Sequence, residues 1–247
     1  DACLAAVVVA ELAADADALS FIACLESLAS QEEALQGIFV SWHAESRLTI
    51  QVSEQLQQFR EKNQELSICV VESARTLSYF EHVKAAVGLM EELVSQPVYV
   101  AILDHRQLWS SRFCSLVLPS LRRAAADART VAVRCPCRAR PTTGEFQRPG
   151  TCSEVQAALA DGSAQVCQAK RDSAADFMVR IKTLQAFLES TPAPALSDEL
   201  CDHRFTFKLS NTYGKKVLQL PSLPEGEWLR WEDAAVEEPL EEAEPEE

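Results

Sequence analysis

Four apolar runs set the tightest constraint on how this chain folds. They cover residues 4–9, 37–42, 66–71 and 98–103, and they are rich in Val, Ile, Leu and Ala. A short run that is apolar throughout predicts a strand buried on both faces. Helical spacing fills the gaps between them. Leu19, Ile22, Ala23, Leu25 and Leu28 form one stripe; Ile50, Val52, Leu56 and Phe59 form the next; Phe80, Val83, Ala86, Val87, Met90 and Leu93 form a third. Asp15 or Asp17 is placed to cap the first of these helices. Strand and helix in strict alternation predict an α/β fold, with a central, mostly parallel sheet covered on both faces and right-handed crossovers.

Length suits one such domain, at 247 residues. The net charge of -14 is largely local, because nine acids and no Lys or Arg lie in residues 232–247. Without them 28 acids face 23 bases, about -5. No basic stripe remains, which argues against nucleic acid as a partner. The reading is a folded domain over 1–231 and an acidic, disordered tail over 232–247, the tail being a contact for a protein partner. No apolar stretch reaches the ~18 residues of a membrane span. The chain starts at Asp1 rather than Met, as an excised or processed piece would, so targeting is unread. Nine cysteines, an odd number scattered in apolar context, suggest the cytoplasm or another reducing compartment.

Past Trp109 the texture changes. Residues 113–126 predict a helix that Pro119 kinks or interrupts, and 130–133 a short strand. Residues 134–150 are basic and rich in Pro and Gly, an irregular loop. Further helices are expected over 153–159, 176–188 and 198–213, making a C-terminal helical subregion, with a last strand at 217–220. Trp228 and Trp231 are expected to pack back onto the domain. Cys135 and Cys137, with Cys152 and Cys167, lack the usual zinc spacing and read as incidental thiols.

Ligands of open α/β sheets bind at the carboxyl ends of the strands. Those ends carry Glu11, His43 and Asp104. Only seven glycines occur and none makes a loop after the first strand, so the dinucleotide fingerprint and the P-loop are both absent. Trp42 is either a stacking platform or a core aromatic, and His82 reads as a packed or hydrogen-bonded histidine.

Four pieces, in order, carry a resemblance. They are Cys24-Leu25-Glu26-Ser27-Leu28-Ala29-Ser30-Gln31; Tyr79-Phe80-Glu81-His82; Leu103-Asp104-His105-Arg106-Gln107-Leu108-Trp109 with Arg112; and Cys201-Asp202-His203-Arg204-Phe205 with Tyr213-Gly214. Together they resemble the family 2 glycosyltransferases, which have the GT-A fold, a Rossmann-like α/β sheet. The resemblance implies transfer of a sugar from a nucleotide sugar to an acceptor hydroxyl. It also implies Mn²⁺ or Mg²⁺ on the donor's diphosphate, since hard cations take oxygen ligands. Asp104 would be the first metal carboxylate, Glu11 and His43 would touch the nucleoside, and Asp202 would be the general base.

The motif departs from the family at its second acid, which here is Arg106. A guanidinium repels a cation and binds diphosphate well. Three readings follow. Asp104 and His105 hold Mn²⁺; or Arg106 clamps the diphosphate without metal; or Asp104 merely pairs with Arg106 or Arg112 in a catalytically inactive, pseudoenzyme-like binding or scaffold domain. Asp202 likewise has an alternative, pairing with Arg204 or Lys208 while Asp198 and Glu199 cap the helix.

Overall fold

The apolar runs fold as strands of a seven-stranded sheet, three of them inner and the third, at 68–72, a part-exposed edge strand rather than one buried on both faces. The computed structural model describes residues 2–90, 98–135, 174, 177–198, 200–211, 216–220 and 230–231. In chain order the elements are β1 (Cys3–Leu12), α1 (Asp15–Ala29), β2 (Ile38–Ala44), α2 (Ser46–Lys62), β3 (Ile68–Glu72), α3 (Tyr79–Gly88), β4 (Val98–Asp104) and β5 (Gln107–Leu108). They continue with α4 (Phe113–Ala126), β6 (Thr130–Arg134), β7 (Phe177–Arg180), α5 (Ile181–Ser190), α6 (Ala193–Leu196), α7 (Cys201–Asn211), β8 (Lys216–Gln219) and β9 (Arg230–Trp231).

The sheet runs β3-β2-β1-β4-β7-β6-β8. All neighbours are parallel except β7, which is antiparallel to both β4 and β6. Strand order reverses between β1 and β4, and that is where such sheets open a ligand crevice. A separate two-residue ladder joins Gln107 to Trp231 and Leu108 to Arg230, so Trp231 does return to the domain. Trp228 and residues 232–247 lie outside the described residues.

The sheet divides the core in two. One face packs Ala6, Val8, Tyr99 and Leu103 against α1, α2 and α4, through Phe21, Leu25, Val52, Phe59 and Leu121. The other packs Val7, Phe39, Val100 and Ile102 against α3, α5 and α7, through Phe80, Val83, Leu184, Phe187 and Phe205. There Phe80, Phe187 and Phe205 meet edge to face or tilted, with centroids 4.8–5.7 Å apart.

Several local expectations need correction. The buried face of α1 is Ala18, Phe21, Cys24, Leu25 and Leu28, and Leu19 is 65% exposed. The true stripe starts one residue earlier, where Phe21, the largest apolar residue, turns inward. Ile50 also faces out. Asp17 sits three residues past the cap and reaches back to the Ala13 and Ala14 N–H groups, at 3.0 and 2.8 Å. Pro119 does not interrupt α4. It lies on the exposed side, where a carbonyl left without its helical donor is open to water. Residues 177–180 are a strand, not the start of a helix: Phe177, Met178 and Val179 are all buried between two neighbouring strands, and helical periodicity begins only at Ile181. The loop expected over 134–150 lies outside the described residues except for its first two positions. The helix at 153–159 and Cys137, Cys152 and Cys167 also lie outside. Cys135 is disulfide-bonded, whereas Cys3, Cys24, Cys69, Cys114 and Cys201 are free thiols.

Candidate functional site

Register brings the candidate residues together. Along β1 and β2, Val9 lies beside Ser41 and Glu11 beside His43; along β1 and β4, Val9 lies beside Asp104. Strand side chains alternate between faces. Glu11, Ser41, His43 and Asp104 therefore share the face on which α3 packs, at the carboxyl ends of the strands. Trp42 falls on the opposite face and is buried in the α1–α2 core, so it is a core aromatic and does not stack over this site. A groove of about 740 Å³ runs along β3 and α2 on Trp42's side, away from the polar row.

Asp104 is committed locally. Its Oδ1 accepts the Arg106 backbone N–H at 3.0 Å and Arg106 Nε at 2.9 Å, and Arg106 Nη2 stands 3.5 Å from Oδ2. The Asp104 N–H donates to Gln107 Oε1 at 2.9 Å. His105 is buried, with Nδ1 3.6 Å from Asp104 Oδ1 and Nε2 3.6 Å from Asp17 Oδ1. Neither ring nitrogen has a hydrogen-bond partner among the described residues. Burial pushes the His105 pKa down, against the pull of Asp104 and Asp17.

These residues do not suit a divalent cation as they stand. The guanidinium of Arg106 sits where a cation would approach Asp104. Among the described residues no three His, Cys, Asp or Glu side chains are grouped to hold a metal. The Arg106–Asp104 pairing expected from the sequence is present.

Glu11 and His82 are joined across 71 positions. His82 Nε2 lies 2.6 Å from Glu11 Oε1, and His82 Nδ1 lies 2.7 Å from Ser41 Oγ. Glu11 Oε1 also accepts the Leu77 N–H at 2.8 Å. His43 Nδ1 donates to the Ser73 carbonyl at 3.0 Å. His82 is thus hydrogen-bonded and buried, as the sequence reading had it, but Ser41 was not anticipated. Its only signal was a hydroxyl inside an apolar strand.

The Cys24–Gln31 motif turns out to be a clamp on the loop after Asp104. Ser27 Oγ accepts the Trp109 N–H, and Gln31 donates to the Ser110 carbonyl at 2.7 Å while accepting the Cys114 N–H at 2.9 Å. These residues hold the site's floor rather than a ligand.

Asp202 stands apart from this row, on α7. Its Oδ1 accepts the Ala174 N–H at 2.6 Å, just before β7. Because β7 runs antiparallel to β4, that contact lies toward the same sheet edge as Asp104. Arg204 pairs with Asp198 at 2.6 Å, and Asp198 Oδ1 accepts the Leu200 N–H at the start of α7. Glu199 lies outside the described residues.

No family model and no curated protein matches this chain. Solved structures do. S. aureus TarS residues 1–349 in complex with UDP superposes with a TM-score of 0.52 at 14% identity, covering 89% of this chain and 58% of that one. The TarS complex with UDP-GlcNAc gives 0.53 at 14% identity, over 89% of this chain and 56% of that one. The mannosyltransferase PcManGT of Pyrobaculum calidifontis, in complex with GDP-Man and Mn²⁺, gives 0.53 at 16% identity, over 90% of this chain and 58% of that one. This chain spans less than two thirds of the length of each. The likeness establishes a GT-A-like fold. Among the described residues no helix is long and apolar enough to cross a membrane.

Proposed function

We propose that this chain is the nucleotide-sugar-binding domain of a glycosyltransferase. One observation carries the reading: at the carboxyl ends of the strands of a GT-A-like sheet, Glu11 of β1, His43 of β2 and Asp104 of β4 share one face, and Arg106 pairs with Asp104. The neighbouring TarS and PcManGT structures, with UDP, UDP-GlcNAc and GDP-Man, support a nucleotide sugar as the ligand class.

Arg106 is the group suited to the donor's diphosphate. It is half exposed and held by Asp104, so its charge is oriented before a ligand arrives. As the glycosidic C–O bond to the β-phosphate breaks, negative charge grows on the leaving diphosphate, and a fixed guanidinium stabilises that charge. The acceptor hydroxyl attacks the anomeric carbon and gives its proton to Asp202, the base the sequence resemblance implies. A cation beside Asp104 requires Arg106 to move away, and the guanidinium supplies positive charge in its place. A protein partner for the acidic segment after residue 231 belongs to the same proposal.

Calorimetric titration of UDP-GlcNAc, GDP-mannose and a dTDP-sugar, each with and without Mn²⁺, tests the reading. Binding of at least one donor is expected, unchanged by Mn²⁺ and weakened in Arg106→Ala. Donor binding that requires Mn²⁺ overturns the guanidinium clamp. Absence of binding to every donor overturns the transferase reading and leaves an inactive GT-A-fold scaffold. Asp202→Asn is expected to abolish transfer while leaving donor affinity unchanged; intact turnover removes Asp202 as the base.

A further inference from the structure

The sheet ends at β3, and among the described residues no strand pairs with its outer side. Which main-chain groups face outward follows from the ladder with β2. The Ile38 N–H donates to the Ser67 carbonyl and the Ser73 N–H to the Trp42 carbonyl, both at 2.8 Å, while Ile38 lies beside Ile68 and Trp42 beside Glu72. In a strand, alternate residues turn their main-chain groups to the same neighbour. Ser67, Cys69, Val71 and Ser73 therefore face β2, and Ile68, Val70 and Glu72 turn their N–H and C=O groups outward.

An open edge is a template for another strand, and proteins commonly blunt one with Lys, Pro or a bulge. β3 reads Ile-Cys-Val-Val-Glu and has none of these, and its register with β2 is unbroken. Its side chains add a second surface. Ile68, Val70 and Glu72 line the groove of about 740 Å³ between β3 and α2, together with Leu56, Arg60 and Leu66. The groove is apolar in the middle and charged at its ends. Arg60 lies in the last turn of α2, near the start of β3, and Glu72 closes β3. Both are exposed, and neither has an ion-pair partner among the described residues. Glu61, next to Arg60, is held by Gln57 through a hydrogen bond of 2.9 Å.

Opposite charges at the two ends make this edge complementary to itself. A two-fold axis through Val70, perpendicular to the sheet, lays β3 antiparallel to a second β3. Val70 then faces the partner's Val70, and Ile68 faces the partner's Glu72. Each such pair exchanges two main-chain hydrogen bonds, so every outward group of Ile68, Val70 and Glu72 is used. The same rotation keeps both α2 helices on one face and brings each Arg60 toward the partner's Glu72. A self-complementary patch of this kind is what a two-fold dimer requires.

We infer that two copies of this chain associate through β3, which joins their sheets edge to edge, with Arg60–Glu72 ion pairs closing both ends of the seam. The seam lies at the sheet edge, on the far side of β2 from β1 and β4, and does not depend on the sugar-transfer reading.

Sedimentation velocity on the full chain, from about 1 to 100 μM, tests the inference over the range suited to a small interface. A dimer that dissociates on dilution is expected. Val70→Pro removes one outward N–H and keeps the bonds to β2, so it is expected to leave circular dichroism unchanged and to yield monomer. Arg60→Glu and Glu72→Arg each set like charges together twice, by symmetry, and each is expected to raise the dimer dissociation constant about tenfold. Combining the two reversals is expected to restore the dimer. These exposed positions keep the test open if Val70→Pro does not fold. Cys69→Ala is expected to leave the dimer intact. Monomer at every concentration overturns the inference and leaves the edge to an extended segment of another protein. A dimer unmoved by the single reversals, or not recovered by the double one, overturns this pairing. Loss of the dimer in Cys69→Ala overturns it in favour of a thiol link.

Discussion

At the scale of single residues, Asp104 and Arg106 show how a motif can keep its place and change its chemistry. The pair is two residues apart, and the turn that brings the Arg106 N–H onto Asp104 also delivers the guanidinium. Because Arg106 is half exposed, the pair adds only about 0–1 kcal/mol to stability. Arg106→Ala is therefore expected to leave the urea midpoint nearly unmoved while diphosphate affinity falls about tenfold or more. A large drop in stability instead would recast Arg106 as a structural residue. Gln31 makes the opposite prediction. Its amide satisfies the Ser110 carbonyl and the Cys114 N–H, both part-buried. Gln31→Ala leaves both without that partner and is expected to cost about 1–3 kcal/mol in chemical denaturation. The Asp104–Arg106 pair was legible in the sequence because its partners are neighbours. The Glu11–His82–Ser41 chain was not, because only the β1–β2 register and the seating of α3 bring those residues together.

At the scale of elements, packing decides where spacing alone misleads. Residues 177–188 carry apolar side chains at intervals compatible with a helix, yet the first four pair with β4 and β6. Met178 faces one core and Phe177 and Val179 the other, so β7 is buried on both faces and loses the alternation that would mark it. The first three parallel strands were legible because each run is short, β-rich and followed by a clear helical stripe, and the fourth because its apolar run stops at Asp104. The entry to β2 is tight. A Cβ on Gly37 would lie 2.9 Å from Phe39 Cε2 and 3.0 Å from the Ser67 carbonyl. Gly37→Ala is thus expected to destabilise by about 1–3 kcal/mol, read from the denaturation midpoint. The α3 capping box makes a pH-dependent contribution. The Ser78 N–H, with the Arg75 guanidinium, holds the Glu81 pKa down at about 2. A lowered carboxyl stabilises above its ordinary pKa of about 4.3 and loses that effect as pH falls toward 2. Glu81→Gln is expected to flatten the stability profile in that window and to lower the midpoint near neutrality, where the ionised carboxylate contributes in full.

At the scale of the whole molecule, the two cores meet at a sheet whose carboxyl edge holds buried imidazoles. His82 is buried with α3 on one side, and His105 lies between the end of β4 and the start of α1. Burial lowers both pKa values, against Glu11 for His82 and against Asp104 and Asp17 for His105. The sign follows from linkage. In the unfolded chain both rings protonate near the ordinary value of about 6.5, whereas in the folded chain they resist. The folded state then binds fewer protons, so stability is full above about 6.5 and declines as pH falls below it. Each ring steepens that decline by at most about 1.4 kcal/mol per pH unit. Urea midpoints measured from pH 8 to pH 5 are expected to fall, well before the carboxylate window of Glu81 is reached. Replacing both rings, in His82→Gln and His105→Gln together, is expected to remove most of the slope. A wild-type midpoint that instead rises as pH falls from 7 to 5 would mean that Glu11 and Asp104 hold the two rings charged. His82 Nδ1 would then donate to Ser41 Oγ, and the Ser41 hydroxyl would accept rather than donate. One acid titration of the whole fold therefore bears on the chemistry of the crevice itself.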